Sequence, residues 1–204
     1  TAYTLAMLSL AALAACPLAA SLWWINAPAA GENVSHNAAV FTGGEDGYAI
    51  YRIPGLVLLP ADSTLANGDT LEADRLLAFA EARRDGSLDT GAIDLVLKTS
   101  DDGGQTWSTQ SVICRHEVDG HSGKCGNPTP VFDRSAGVVT LAYNLSGTAT
   151  DSRHHSAQLM TSADGGSSWS TPRQVADDNF VFGPGKGIQK SLAPNAGRLL
   201  LPGY

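Results

Sequence analysis

One eight-residue phrase occurs twice. Ser100-Asp101-Asp102-Gly103-Gly104-Gln105-Thr106-Trp107 returns 62 residues later as Ser162-Ala163-Asp164-Gly165-Gly166-Ser167-Ser168-Trp169. In both copies an apolar run ends in Ser, Asp stands two residues on, two Gly follow, and Trp closes after a hydroxyl residue. Such an Asp can accept backbone N–H bonds across a tight turn while the Trp packs the hairpin it closes. A calcium loop is a poor alternative, because only Asp102 and Asp164 are shared carboxylates and a hard cation needs a fuller oxygen cage. A repeat longer than fifty residues implies a radial array in which each unit covers its neighbour.

The rest of the chain fits an all-β domain. Short apolar runs recur with turn signals between them, and no segment holds a helical period. Strands are expected at 50–59, 75–80, 93–99, 112–115, 156–162 and 198–201, with a further short one at Val40-Phe41. Segments 131–133 and 138–143 read as a hairpin. Twenty-two glycines and ten prolines suit so many turns. A formal charge of -7 disfavours a nucleic-acid partner.

Residues 6–25 carry no charge and are long enough to cross a bilayer. They read as a secretory signal or a membrane anchor, with a buried Ala/Leu helix as the alternative. Leu13-Ala14-Ala15-Cys16 also matches a lipoprotein cleavage site. Residues 1–37 are therefore expected to be leader plus linker, and residues 38–204 the folded domain. Asn33-Val34-Ser35 and Asn144-Leu145-Ser146 are glycosylation acceptors if the chain meets a eukaryotic secretory route. Cys114 and Cys125 flank a short loop. Three states stay open for them: a disulfide, free thiols, or a zinc site with His116 and His121, whose spacing fits no common zinc module.

Two clusters carry candidate chemistry. Arg52 stands inside the apolar run 50–59, where a guanidinium needs an anionic partner. Pro54 biases Ile53 toward an extended conformation. Glu81-Ala82-Arg83-Arg84 ends the next run, and Asp89 follows Arg83 by six residues on a Gly- and Ser-rich loop.

Tyr51-Arg52-Ile53-Pro54, Glu81-Ala82-Arg83-Arg84 with Asp89, and the two Asp turns together resemble the sialidase (neuraminidase) family of glycoside hydrolases, in its bacterial and animal-type branch. The resemblance runs from about Val40 onward. It implies a six-bladed β-propeller, of which about three blades fit in this length. It therefore implies an N-terminal fragment, inactive alone. The turns become the family's Asp-boxes (Ser100, Asp102, Gly104, Trp107; Ser162, Asp164, Gly166, Trp169), structural features at blade edges far from the active site.

Further roles follow from the resemblance. Arg52 matches the first of three arginines that hold the sialic acid carboxylate, a natural task for a planar fork. Arg83 matches an arginine near the sugar's O4, and Asp89 matches the acid/base, with Asp85 as its rival. Asn127 stands where many members have Asp, and Gln189 is expected to face the pocket. Arg84 is expected on the loop surface and Asp94 in a structural role. The family's Tyr nucleophile and its Glu partner have no match here; Tyr51, Tyr143 and Tyr204 read as packing or rim residues.

The implied activity is retaining hydrolysis of terminal α-linked sialic acids on glycoproteins, glycolipids or oligosaccharides. The implied place is outside the cytoplasm: secreted, or membrane-anchored with an extracellular or lysosomal domain. No cofactor and no metal are expected. Alternatives are a trans-sialidase, a non-catalytic sialic-acid-binding propeller, or an unrelated Asp-box propeller.

Overall fold

The computed structural model describes residues 39–89, 91–115, 117–118, 121–146, 155–176 and 180–204. The apolar stretch 6–25 and His116 lie outside them. No helix among the described residues is long and apolar enough to cross a membrane.

All regular structure among the described residues is β. Four strands form a first antiparallel unit: β1 (Ile50–Leu59), β2 (Arg75–Arg83), β3 (Ile93–Ser100) and β4 (Ser111–Cys114), paired in that order. Two short strands, β5 (Glu117–Val118) and β6 (His121–Ser122), form a small hairpin. A second four-stranded unit repeats the pattern with β7 (Lys124–Asp133), β8 (Val138–Ser146), β9 (His155–Ser162) and β10 (Arg173–Ala176). The pair β11 (Ile188–Gln189) and β12 (Leu199–Leu200) follows. A single parallel bridge, Ile93 to Lys124, joins β3 to β7.

The expected strands are present with small changes at their ends, except that Val40 and Phe41 are not in a strand. Phe41 stacks on Tyr51 at 5.2 Å between ring centroids, so its burial comes from an aromatic contact without strand pairing. The strands β7, β10 and β11 reach into segments that carry too few apolar residues to announce a strand.

The core lies between the two units. From Gly55 on, β1 alternates, with Val57 and Leu59 inward and Leu56 and Leu58 exposed. Central strands β2 and β3 are buried on both faces, which explains their unbroken apolar runs. Leu59, Leu77, Phe79, Leu95 and Leu97 from the first unit meet Phe132, Val139, Leu141, Tyr143 and Met160 from the second. Each such buried side chain contributes about 1.5–3 kcal/mol.

Both Asp turns have the same hydrogen bonds. Ser100 Oγ donates to Asp102 Oδ1 at 2.8 Å and accepts from Gly104 N at 2.9 Å. Thr106 donates to Asp102 through its N–H at 2.9 Å and its hydroxyl at 2.6 Å. Ser162, Asp164, Gly166 and Ser168 repeat this at 2.7, 2.7, 2.9 and 2.5 Å. Positive φ at Gly103 and Gly104 (72° and 89°), and at Gly165 and Gly166 (68° and 96°), is what the double glycine supplies. The two turns differ in cover. Trp107 closes on its own turn, its indole N–H bonded to Gly104 O, whereas Trp169 packs edge-on against Phe79 of the first unit. Trp169 is therefore an inter-unit contact.

Candidate active site

Two bulges shape the site. On β1, Arg52 pairs with Glu81 and Gly55 with Phe79, so Ile53 and Pro54 together oppose one residue. On β7, Gly126 pairs with Asn144 and Thr129 with Ala142, so Asn127 and Pro128 do the same. In both bulges the residue before proline has positive φ, 52° at Ile53 and 53° at Asn127. This overturns the extended conformation expected for Ile53. A β-branched residue resists that region, so the surrounding packing must hold it there. Gly55 shows how tightly: a Cβ there would stand 3.0 Å from Pro128 O and 3.1 Å from the Pro130 ring. Bulges redirect side chains and cluster beside active sites.

They open onto one cleft of about 480 Å³, lined among others by Arg52, Glu81, Arg83, Asp89, Lys124, Asn127, Asn144 and Tyr204. Asp89 is an exposed carboxylate on its wall. Its Oδ1 lies 2.9 Å from Arg83 Nη2 and 3.4 Å from Arg52 Nη1. Hydrogen bonding from Arg83, then that guanidinium's charge, with smaller help from Arg52 and Lys124, holds the Asp89 carboxyl below its usual range. The loop main chain joins in. Ser87 O accepts from Arg52 at 2.9 Å and from Arg83 at 2.7 Å, and Leu88 O accepts from Arg83 at 2.9 Å.

Arg83 is buried and needs more than the exposed Asp89 to balance it. Glu81, two residues back on the same face of β2, accepts from its Nη2 at 2.5 Å and its Nε at 3.2 Å. The other oxygen of Glu81 accepts from the Asn127 N–H at 3.0 Å. Glu81 thus ties the arginine of the first unit to the bulge of the second. Gly126 must be glycine here, since a Cβ would stand 2.9 Å from Glu81 Oε1.

Asn127 reaches the cleft, but its amide Nδ2 donates to Phe182 O at 2.9 Å. Asn144 holds the same residue, donating to Phe182 O and accepting from Phe182 N. Both asparagines therefore fix the segment that brings Val181 and Pro184 to the cleft. Glu81 and Lys124 were given no role from sequence, and Asn144 only that of a glycosylation acceptor, which its burial and its bonds to Phe182 do not suit. The signal for Glu81 was its i, i+2 spacing from Arg83, which puts both on one face of a strand.

Other expectations fall elsewhere. Gln189 does not line the cleft. Its amide bonds Asp133 Oδ1 at 2.7 Å and accepts from Arg134 N at 3.0 Å, at the turn between β7 and β8. β11 runs from the cleft toward that turn and carries Gln189 away. Arg84 is exposed, as expected, but it is also paired: it bonds the buried Asp94 at 3.0 Å and lies over the Tyr48 ring at 4.8 Å. Burial, and then its bond to Asp94, push the Tyr48 hydroxyl up to about 12. Asp85 does not line the cleft. Cys114 and Cys125 are joined as a disulfide with Cα atoms 6.1 Å apart, linking β4 to β7. The Asp turns stand at the far end: Ile93 lines the cleft and Ser100 ends the same strand, about 23 Å away at ~3.3 Å per residue.

Residues 74–204, well over half the chain, match the family described as BNR repeat-like domain. The chain belongs to this sialidase family. It is 32% identical to Sialidase-3 of Bos taurus over 76% of its own length and 36% of the relative's. It is 28% identical to Sialidase of Micromonospora viridifaciens over 85% of its length and 28% of the relative's. The chain thus spans about a third of the length of the curated relatives it matches. The solved structure titled Hadza microbial sialidase Hz136 superposes with a TM-score of 0.60 at 25% identity, covering 72% of this chain and 32% of that one. The architecture is accordingly all-β and of the propeller type.

Proposed function

We propose that the protein is an exo-α-sialidase, which hydrolyses terminal α-linked sialic acids of glycoconjugates with retention of configuration. The observation that carries this is the meeting of Arg52, Arg83 and Asp89 at one exposed carboxylate. Arg52 is half-exposed, so its fork can turn from Asp89 to a substrate carboxylate. Asp89 then loses part of the positive field that keeps it ionised, and its pKa rises toward the range a proton donor needs. Arg83 stays fixed by Glu81 and faces the sugar. Asn127 serves chiefly to shape the cleft wall.

In this reading residues 38–204 are part of a six-bladed propeller. Two further carboxylate arginines and a Tyr–Glu pair from chain beyond these residues complete the pocket, and the 204 residues alone turn over negligibly. The disulfide suits an oxidising, extracytoplasmic compartment.

The test uses a longer protein that contains this chain, with a fluorogenic aryl sialoside and sialyl-lactose as substrates. Arg52→Ala should raise KM for both. Asp89→Ala should slow sialyl-lactose far more than the aryl sialoside, whose leaving group needs little protonation. Equal loss on both substrates would remove the proton-donor role from Asp89. Unchanged KM in Arg52→Ala would remove the carboxylate receptor.

A further inference from the structure

Lys124 is the third cation at the cleft, and neither the family pattern nor the roles above use it. It enters from the second unit, at the head of β7. Its Nζ donates to Asp89 O at 3.0 Å.

The loop that carries Asp89 has little packing of its own. Leu88 is 72% exposed, and the Asp89 side chain 73%. What holds the loop is three successive carbonyls facing three cations. Ser87 O meets Arg52 and Arg83, Leu88 O meets Arg83, and Asp89 O meets Lys124. These contacts are not equivalent once a ligand arrives. Both loop contacts of Arg52 run through Nη1, so when its fork turns to a substrate carboxylate that nitrogen moves and exchanges Ser87 O and the Asp89 carboxylate for the ligand. An ammonium has three donors, and the loop carbonyl uses one of them. Lys124 therefore faces no such exchange.

Its own placement is firm. Lys124 forms the parallel bridge to Ile93 and pairs with Ser146 of β8. The next residue, Cys125, is fully buried and disulfide-bonded to Cys114, which is paired with β3. The long side chain thus starts from one of the best-anchored points of the second unit.

We propose that Lys124 is a positioning residue for Asp89, holding the main chain of its loop from the neighbouring unit so that the carboxyl keeps its place when Arg52 turns to substrate. The proposal rests on the sialidase reading for the role of Asp89, but not for the contact itself.

The experiment uses the longer protein that contains this chain, without any sialoside, so its outcome is independent of turnover. Amide hydrogen exchange of residues 86–89 and the carboxyl titration of Asp89 are compared in wild type, Lys124→Gln and Lys124→Arg. Groups facing Asp89 are Arg52 of β1, Arg83 of β2 and Lys124 of β7. Lys124→Gln should speed exchange in 86–89 by about tenfold, as expected for loss of one charge-assisted bond, and leave β2 unchanged. It should also raise the Asp89 midpoint. Lys124→Arg, which can still donate to the carbonyl, should restore both. Exchange in Lys124→Gln within about twofold of wild type would overturn the proposal. So would a rise spread over β7 and β8, which would make Lys124 a general support of the fold.

Discussion

Glu81→Gln is the sharpest perturbation, because it removes one charge and leaves the shape unchanged. The Arg83 side chain is 3% exposed and the Glu81 side chain 6%. Breaking a buried pair by neutralising one partner costs about 3–5 kcal/mol. The remaining partner, Asp89, is too exposed to compensate fully, but it and two loop carbonyls still bond Arg83. The lower end therefore applies, about 3 kcal/mol, or roughly 150-fold in the folding equilibrium. With a urea slope of about 2 kcal/mol/M, the midpoint falls by about 1.5 M. Trp107 and Trp169 give a fluorescence signal for the transition. Arg83→Met in the same background should recover much of the loss, since the two changes together leave no buried charge, and the coupling energy should be about 2 kcal/mol. A Glu81→Gln shift under about 0.3 M, or additive behaviour of the two changes, would refute the view that Glu81 balances Arg83.

Two further outcomes are expected. Cys114→Ser with Cys125→Ser, or reduction by a dithiol, should lower stability by about 3 kcal/mol, the chain-entropy figure for so short a closed loop, measured by the same urea transitions; no change would show that the bridge adds nothing beyond the β3–β4 pairing. Hydrogen bonds from Thr106 and Ser100 hold Asp102 well below the carboxylate range, and at Asp164 burial works upward but is outweighed by bonds from Ser168 and Ser162. A depressed folded-state pKa stabilises above the unfolded value near ~3.9 and is lost as pH falls through the folded value, so stability should decline below about pH 4. Asp102→Asn with Asp164→Asn should flatten that decline, and a decline of unchanged slope would place its origin elsewhere.

Much of this protein could be read before any coordinates. Strand β1 falls where an apolar run between turn signals puts it, and β2 and β3 follow because central strands buried on both faces show as continuous apolar residues. The Asp turns were legible because all their bonds lie within seven residues, so sequence order alone dictates the geometry. The spacing of Arg83 and Asp89 was readable for the same reason: a strand end and the loop that follows it.

Other features depend on residues far apart in the chain. Local preference puts Ile53 in the extended region, yet its φ is positive, because a bulge between β1 and β2 is packed against Pro128 and Pro130 of the second unit. Gln189 is carried away from the cleft by the direction of β11. Glu81 becomes a junction only when Asn127, 46 residues away, turns its N–H toward it. Lys124 reaches Asp89 across 35 residues of chain because a single bridge brings β7 beside β3. Propensity and pattern describe interactions within a turn or a strand. Which units lie face to face, and therefore which charges meet, is decided by burial of the shared apolar core, and only the tertiary structure shows its outcome.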